Sequence, residues 1–262
     1  MRIVISAICF DWGDMAECLG QAVHKLGLDG VEVSWDRSFE RPHCTQEDID
    51  VLVGVGEKDH LTLGAHIWED LAQSTPEEGR KNLLEWLDLC GKTRVGNLVL
   101  HGGTSPNQKH GIMHTRHILE GVLPQFERAG VVLNLENHYA YDYHDCQELC
   151  SEPWEFLEVL SLDSPSLRFC FDTGHAHMTR NSDALIRSLG PWLHYVHLAD
   201  NQGIDDDHDM FREGTVDWDG VFRELEGISF DGIFCVEFPV RQEVEPFNRC
   251  VQEIRTRWTD DT

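Results

Sequence analysis

The segment 169–177 reads Phe-Cys-Phe-Asp-Thr-Gly-His-Ala-His. An apolar run breaks into Asp172, then Gly174, then His175 and His177. A short apolar run bounded by turn residues has the pattern of a buried strand. A carboxylate and imidazoles at the end of a rigid element are the oxygen and nitrogen donors that a divalent cation takes from a protein. The simpler reading is a strand followed by a polar turn, with Asp172 capping the next helix. What favours chemistry is recurrence. Apolar runs also end on His66, His101, Glu136 in Glu-Asn-His, His197 in Tyr-Val-His-Leu-Ala-Asp, and Glu237. A carboxylate after four or five apolar residues is costly to bury without a cation, a proton or an arginine partner. His66 and His101 each have a core-histidine alternative, and His177 fits a helix start better than a ligand position.

Those ends belong to elements that alternate along the whole chain. The expected strands cover residues 2–7, 30–33, 61–67, 97–100, 131–135, 167–171, 194–198 and 232–236. Helical spacing falls between them. Residues 15–26 stop at Gly27, Thr45 caps a second helix, and Thr75-Pro76-Glu77-Glu78 opens a third, with acids at the positive end of its dipole. Residues 114–129 predict a helix kinked at Pro124, and 151–162 one capped by Ser151. Further helices are expected over 217–225 and 246–258. Alternating strands and helices mean parallel pairing with right-handed crossovers. Eight such units in 262 residues predict a single α/β domain spanning residues 1–262, a closed (β/α)8 barrel with its active site at the C-terminal strand ends. An open doubly wound sheet would want a Gly-rich phosphate turn after the first strand, and residues 9–13 do not supply one.

Composition narrows the function. The formal charge is 21 − 47 = −26, which repels nucleic acid and anionic membrane at long range. Arg41, Lys109, Arg180 and Arg212 are dispersed rather than clustered. Nine cysteines are scattered without a Cys-x-x-Cys pair, and no apolar run approaches 18 residues. These features predict a reducing, cytoplasmic setting without a membrane span. Trp12, Trp35, Trp68 and Tyr139 fall just past strand ends, where they would suit the apolar face of a sugar. Their alternative is rim packing or contact between subunits of a homo-oligomer.

The set Leu-Glu-Asn-His, Phe-Asp-Thr-Gly-His-Ala-His, Val-His-Leu-Ala-Asp-Asn and Val-Glu-Phe-Pro resembles the xylose-isomerase-like TIM-barrel superfamily over nearly the whole chain. That group holds metal-dependent sugar isomerases and epimerases, and the abasic-site endonucleases related to endonuclease IV. For the sugar branch, the resemblance implies one divalent ion (Mn, Mg, Co or Zn) on Glu136, Asp172, His197 and Glu237. It also implies that Glu136 and Glu237 exchange protons with the substrate carbon through an enediolate. For the endonuclease branch it implies three zinc ions, with His66, His101, His175, Asp206 and His208 joining that set; the alternative for residues 205–209 is a solvated acidic loop. Glu213-Gly214-Thr215-Val216-Asp217-Trp218 is similar to the superfamily's Gly-x-Gly-x-x-Asp-Trp loop, with Arg212 in place of the first Gly. That replacement puts the usual backbone path in question and offers a cation for a substrate phosphate or carboxylate. Substrate contacts are expected from Trp12, Glu32, Trp68, Asn137 and Arg212. The acidic balance favours a small sugar or sugar-derived substrate of carbohydrate metabolism over DNA.

Overall fold

A computed structural model describes residues 1–6, 26–36, 46, 49–51, 53–54, 61–143, 145–238 and 245–259. Residues 15–25 of the expected helix over 15–26, the cap at Thr45, and Trp12 lie outside the described residues. Eight parallel strands close into a barrel: β1 (Arg2–Ser6), β2 (Gly30–Asp36), β3 (Thr62–Trp68), β4 (Asn97–His101), β6 (Val132–Glu136), β9 (Leu167–Asp172), β10 (Leu193–Leu198) and β11 (Ile233–Val236). Going round the barrel the order is β1, β11, β10, β9, β6, β4, β3, β2. Among the described residues, helices stand in each crossover from β3 round to β11, as right-handed parallel connections require. Among the described residues no helix is long and apolar enough to cross a membrane.

The strands read as apolar runs because both faces are covered. The outward face packs on the helices. Trp35 stacks on Trp86 of the helix Pro76–Thr93 with ring centroids 5.9 Å apart, and Phe156 meets Phe169 at 4.8 Å. Trp35 therefore belongs to the jacket between sheet and helices and not to the rim where sequence placed it. The inward face holds a smaller apolar floor of Val4, Val99, Cys170, Tyr195, Ile233 and Cys235. Above that floor the inward residues turn polar.

Local signals explain the helix boundaries and two departures from expectation. Thr75 and Glu78 form the reciprocal capping box that starts the helix Pro76–Thr93. Pro124 breaks the expected single helix in two, Gln108–Glu120 and Leu123–Ala129, because its ring suits a first turn and not a helix interior. Glu152, not Ser151, is the cap of the helix Pro153–Leu160. Glu155 Oε2 accepts from the backbone N–H groups of Ser151 and Glu152, 2.8 Å each. The polar stretch after β6 folds as two short strands, β7 (Asp142–Tyr143) and β8 (Cys146–Glu148), which join β5 (Thr104–Ser105) in a small antiparallel sheet beside the barrel mouth.

Candidate metal centre

Strand register gathers residues that are distant in sequence. His101 pairs with Glu136 across β4 and β6, and His197 with Asp172 across β10 and β9. One ligand atom each from Glu136, Asp172, His197 and Glu237 lies within 4.8 Å of the others, and all four residues are buried. Glu136 Oε1 is 3.0 Å from His197 Nδ1, and Glu237 Oε2 is 3.3 Å from the same nitrogen. His66, His101 and Glu136 converge in the same way. Glu136 Oε2 lies 3.0 Å from His66 Nε2 and 3.4 Å from His101 Nε2. Glu136 thus stands between an inner acidic quartet and an outer set of histidines.

The two oxygens of Asp172 have different surroundings. Its Oδ1 accepts from the His175 N–H at 2.6 Å and caps the helix Thr173–Thr179. Its Oδ2 is buried with no hydrogen-bond partner. The capping expected of this residue therefore leaves its second oxygen free to point into the cluster. Three buried carboxylates around one imidazole are a donor set that a divalent cation fits, since a buried anion without a counter-charge is strongly disfavoured.

A loop brings the outer residues in. Asp200 is wholly buried and ties that loop together: its carboxylate accepts from the backbone of Asn201, Arg212 and Val216 and from Trp218 Nε1. Arg212 takes φ 64°, so the left-handed path normally given to glycine survives with an arginine there. Gly214 lies so close against Asp200 and Asn201 that a Cβ would collide with their oxygens. Held this way, the loop sets Asp206 Oδ2 3.2 Å from His175 Nε2 and 3.4 Å from His208 Nε2. His208 Nδ1 is 2.7 Å from the Glu237 carbonyl. Asp206 is therefore not part of a merely solvated acidic loop.

Electrostatics separates the groups. Burial pushes Glu237 up to about 7, with the His197 charge opposing it. Burial also acts to raise Glu136, but the neighbouring His197 and His101 charges outweigh it and hold that carboxyl well below its usual range. Burial raises Asp172. Burial disfavours the charged form of His175, yet Asp172 and Asp206 hold it up to about 10. His208 reaches about 9 against burial, through Asp206 and Glu237.

The substrate contacts expected from sequence separate on the same geometry. Trp68 is 53% exposed at the end of β3, its ring 5.7 Å from His101. Asn137 is buried and its amide is spent on the backbone of Asp172, donating at 3.0 Å and accepting at 2.8 Å. Arg212 faces away, to Asp219 and Glu253 at 2.8 Å each, because the loop turns its side chain onto the jacket. Glu32 is fully buried beneath His197. His177 bonds Thr215 Oγ1 at 2.8 Å. Asp200 and His138 were not singled out by sequence reasoning. His138 packs 4.7 Å from both His101 and His175. Burial and those two charges push it down to about 2, so it stays neutral. Its place directly after Glu136-Asn137 was the available signal.

Residues 21–259 match the family model of the xylose isomerase-like TIM barrel. The chain is 34% identical over 253 residues to an uncharacterized protein of Methanocaldococcus jannaschii, covering 90% of this chain and 83% of that one. Among solved structures it is similar to D-psicose 3-epimerase determined in the presence of D-fructose (TM-score 0.80, 13% identity, 98% of this chain and 99% of that one). It is also similar to a D-tagatose 3-epimerase-like protein (TM-score 0.79, 21% identity, 99% of each chain). Endonuclease IV from Thermus thermophilus aligns over 100% of both chains with TM-score 0.71 and 20% identity. At these identities the solved structures speak for the fold.

Proposed function

The chain belongs to the xylose isomerase-like TIM barrel family, and from that premise we propose that it is a divalent-metal-dependent isomerase or epimerase of a small sugar or sugar-derived substrate. In this reading residues 1–262 act as one barrel domain. Glu136, Asp172, His197 and Glu237 hold the ion, and Glu136 and Glu237 also move the proton. The observation that carries the reading is the pair of carboxylates that meet at His197 Nδ1, 3.0 and 3.3 Å away, inside a buried cluster.

A divalent ion in this donor set supplies Lewis-acid polarisation of a substrate carbonyl and charge for the oxyanion formed when the adjacent carbon loses its proton. The chain supplies the rest. Glu136, held ionised, is placed to accept a proton. Glu237, which would give up its own proton on taking the ion, is placed to return one drawn from solvent. Return on the opposite face of the carbon inverts a stereocentre, and return to the neighbouring carbon isomerises the sugar. Trp68 and Tyr139 at the mouth offer faces for a sugar's C–H surface and exclude water from the reacting carbon.

The approach of His66 and His101 to Glu136 favours a second reading, a multi-zinc phosphodiesterase acting on abasic DNA. A net charge of −26 opposes it, since DNA binding rests on neutralising several phosphates. The test is incubation with Mn2+ in D2O over a panel of ketoses and keto-acids. Deuterium entering carbon beside the carbonyl is expected. Nicking of abasic DNA with no exchange on any panel member would reverse the assignment.

A further inference from the structure

Glu32 has no task in that proton transfer. It leaves β2 toward the barrel axis, wholly buried, with Oε2 3.1 Å from His197 Nε2. The other nitrogen of the same ring faces the quartet, 3.0 Å from Glu136 Oε1 and 3.3 Å from Glu237 Oε2. A neutral imidazole carries its proton on one nitrogen and a lone pair on the other, and the partner of one edge decides the state of the other. A carboxylate at Nε2 holds a proton there; without an ion Nδ1 also faces carboxylate oxygens and donates to Glu136, and an ion would take the place of that second proton.

A need for a hydrogen bond alone does not explain a carboxylate at this depth. A hydroxyl or amide oxygen would serve a neutral imidazole, and the floor below is apolar. The second oxygen, Oε1, has no hydrogen-bond partner and is buried. The geometry points to Glu32 as a positioning residue: it holds the proton on His197 Nε2 and presents Nδ1 to a divalent ion. This rests on the metal reading above and replaces the substrate contact expected of Glu32 from sequence. A rival arrangement exists, because Glu32, His197, Cys235 and Glu237 also converge within 4.8 Å. There Glu32 would be a ligand of an inner ion, and the Cys235 thiol would be needed.

The test titrates Co2+ into the full-length wild type and into Glu32→Leu, Glu32→Gln and Cys235→Ala, each first shown to melt cooperatively. It also records the histidine ring 15N spectrum of each before Co2+ is added. The expectation is a Co2+ affinity about 10- to 100-fold weaker in Glu32→Leu. Glu32→Gln, whose amide oxygen still accepts, should recover part of the loss, and Cys235→Ala should bind as wild type. His197 should show the Nε2-protonated ring in wild type and in Glu32→Gln but not in Glu32→Leu. At saturating Co2+ the KM for the exchanging ketose should be unchanged. Wild-type Co2+ affinity in Glu32→Leu with a raised KM would return Glu32 to the substrate and overturn the proposal. So would loss of one of two bound ions in both Glu32→Leu and Cys235→Ala. If wild type takes up no Co2+, the metal reading fails, while the ring spectra still decide whether Glu32 sets the His197 proton.

Discussion

The inner quartet and the outer histidines share Glu136 but are built from different parts. The quartet is three carboxylates and one imidazole, on strand ends or one residue beyond, positioned by the barrel's ladder and by the reciprocal bonds between Asn137 and Asp172. The outer set is His66, His101, His175 and His208 with Asp206, and its last two members hang on a loop tied to Asp200. Oxygen-rich sites suit hard ions, and imidazole-rich ones suit zinc. The sugar-converting and DNA-cleaving readings therefore differ in the outer set, while both use the quartet. Ligand types gathered at the strand ends could hold a metal ion. What the outer histidines hold decides the branch.

Breaking the quartet should have the largest effect. Glu237→Gln should lower solvent-deuterium exchange by about 10²–10⁴-fold, the usual worth of a general acid or base, with an unchanged circular-dichroism spectrum. Retained exchange would remove Glu237 from proton transfer. Stripping the ion with a chelator should cost about 2.7 kcal/mol of stability relative to protein in ion at 100 times its Kd, read as a melting shift of roughly 5 °C or more for a domain of this size.

Acid should act on the same quartet. Glu237 without an ion keeps its proton up to about pH 7. Burial disfavours the charged form of His197, but Cys170 and the carboxylates of Glu237, Glu136 and Glu32 hold it well above the usual imidazole range. An ion must displace both protons, so affinity should fall steeply below pH 7 and go on rising above it. Calorimetry in buffers of different ionisation enthalpy would count the protons released. The smallest effect should come from the outer set: His208→Ala should reduce kcat/KM for the exchanging sugar by less than about tenfold, or about 1.4 kcal/mol. A loss as large as that of Glu237→Gln would make the outer set part of the chemistry and favour the multi-zinc reading.

The barrel was legible in the sequence because strand and helix patterns alternate at a steady interval. Candidate ligands were legible because His66, His101, Glu136, Asp172, His197 and Glu237 each end an apolar run, and the family resemblance singled out Glu136, Asp172, His197 and Glu237 among them. What was hidden depends on partners far apart in sequence. Asp200 reads as one more acid in an acidic stretch, yet it collects donors from 12 to 18 residues away. Arg212 reads as a mouth cation, but its neighbours on the jacket, Asp219 and Glu253, claim it. Trp35 looked like a rim residue because β2 was expected to end at residue 33, whereas it runs to Asp36 and turns that ring onto Trp86. Pro124 carried a clear local signal, but a kink and a break differ only in whether the tertiary packing continues the helix axis.

Anomalous diffraction from crystals soaked in Mn2+ would test the shared cation most directly. The account predicts a peak about 2.0–2.3 Å from oxygens of Glu136, Asp172 and Glu237 and from His197 Nδ1. A fully occupied peak confined to His66, His101 and Asp206, with the four residues of the quartet left uncoordinated, would contradict it.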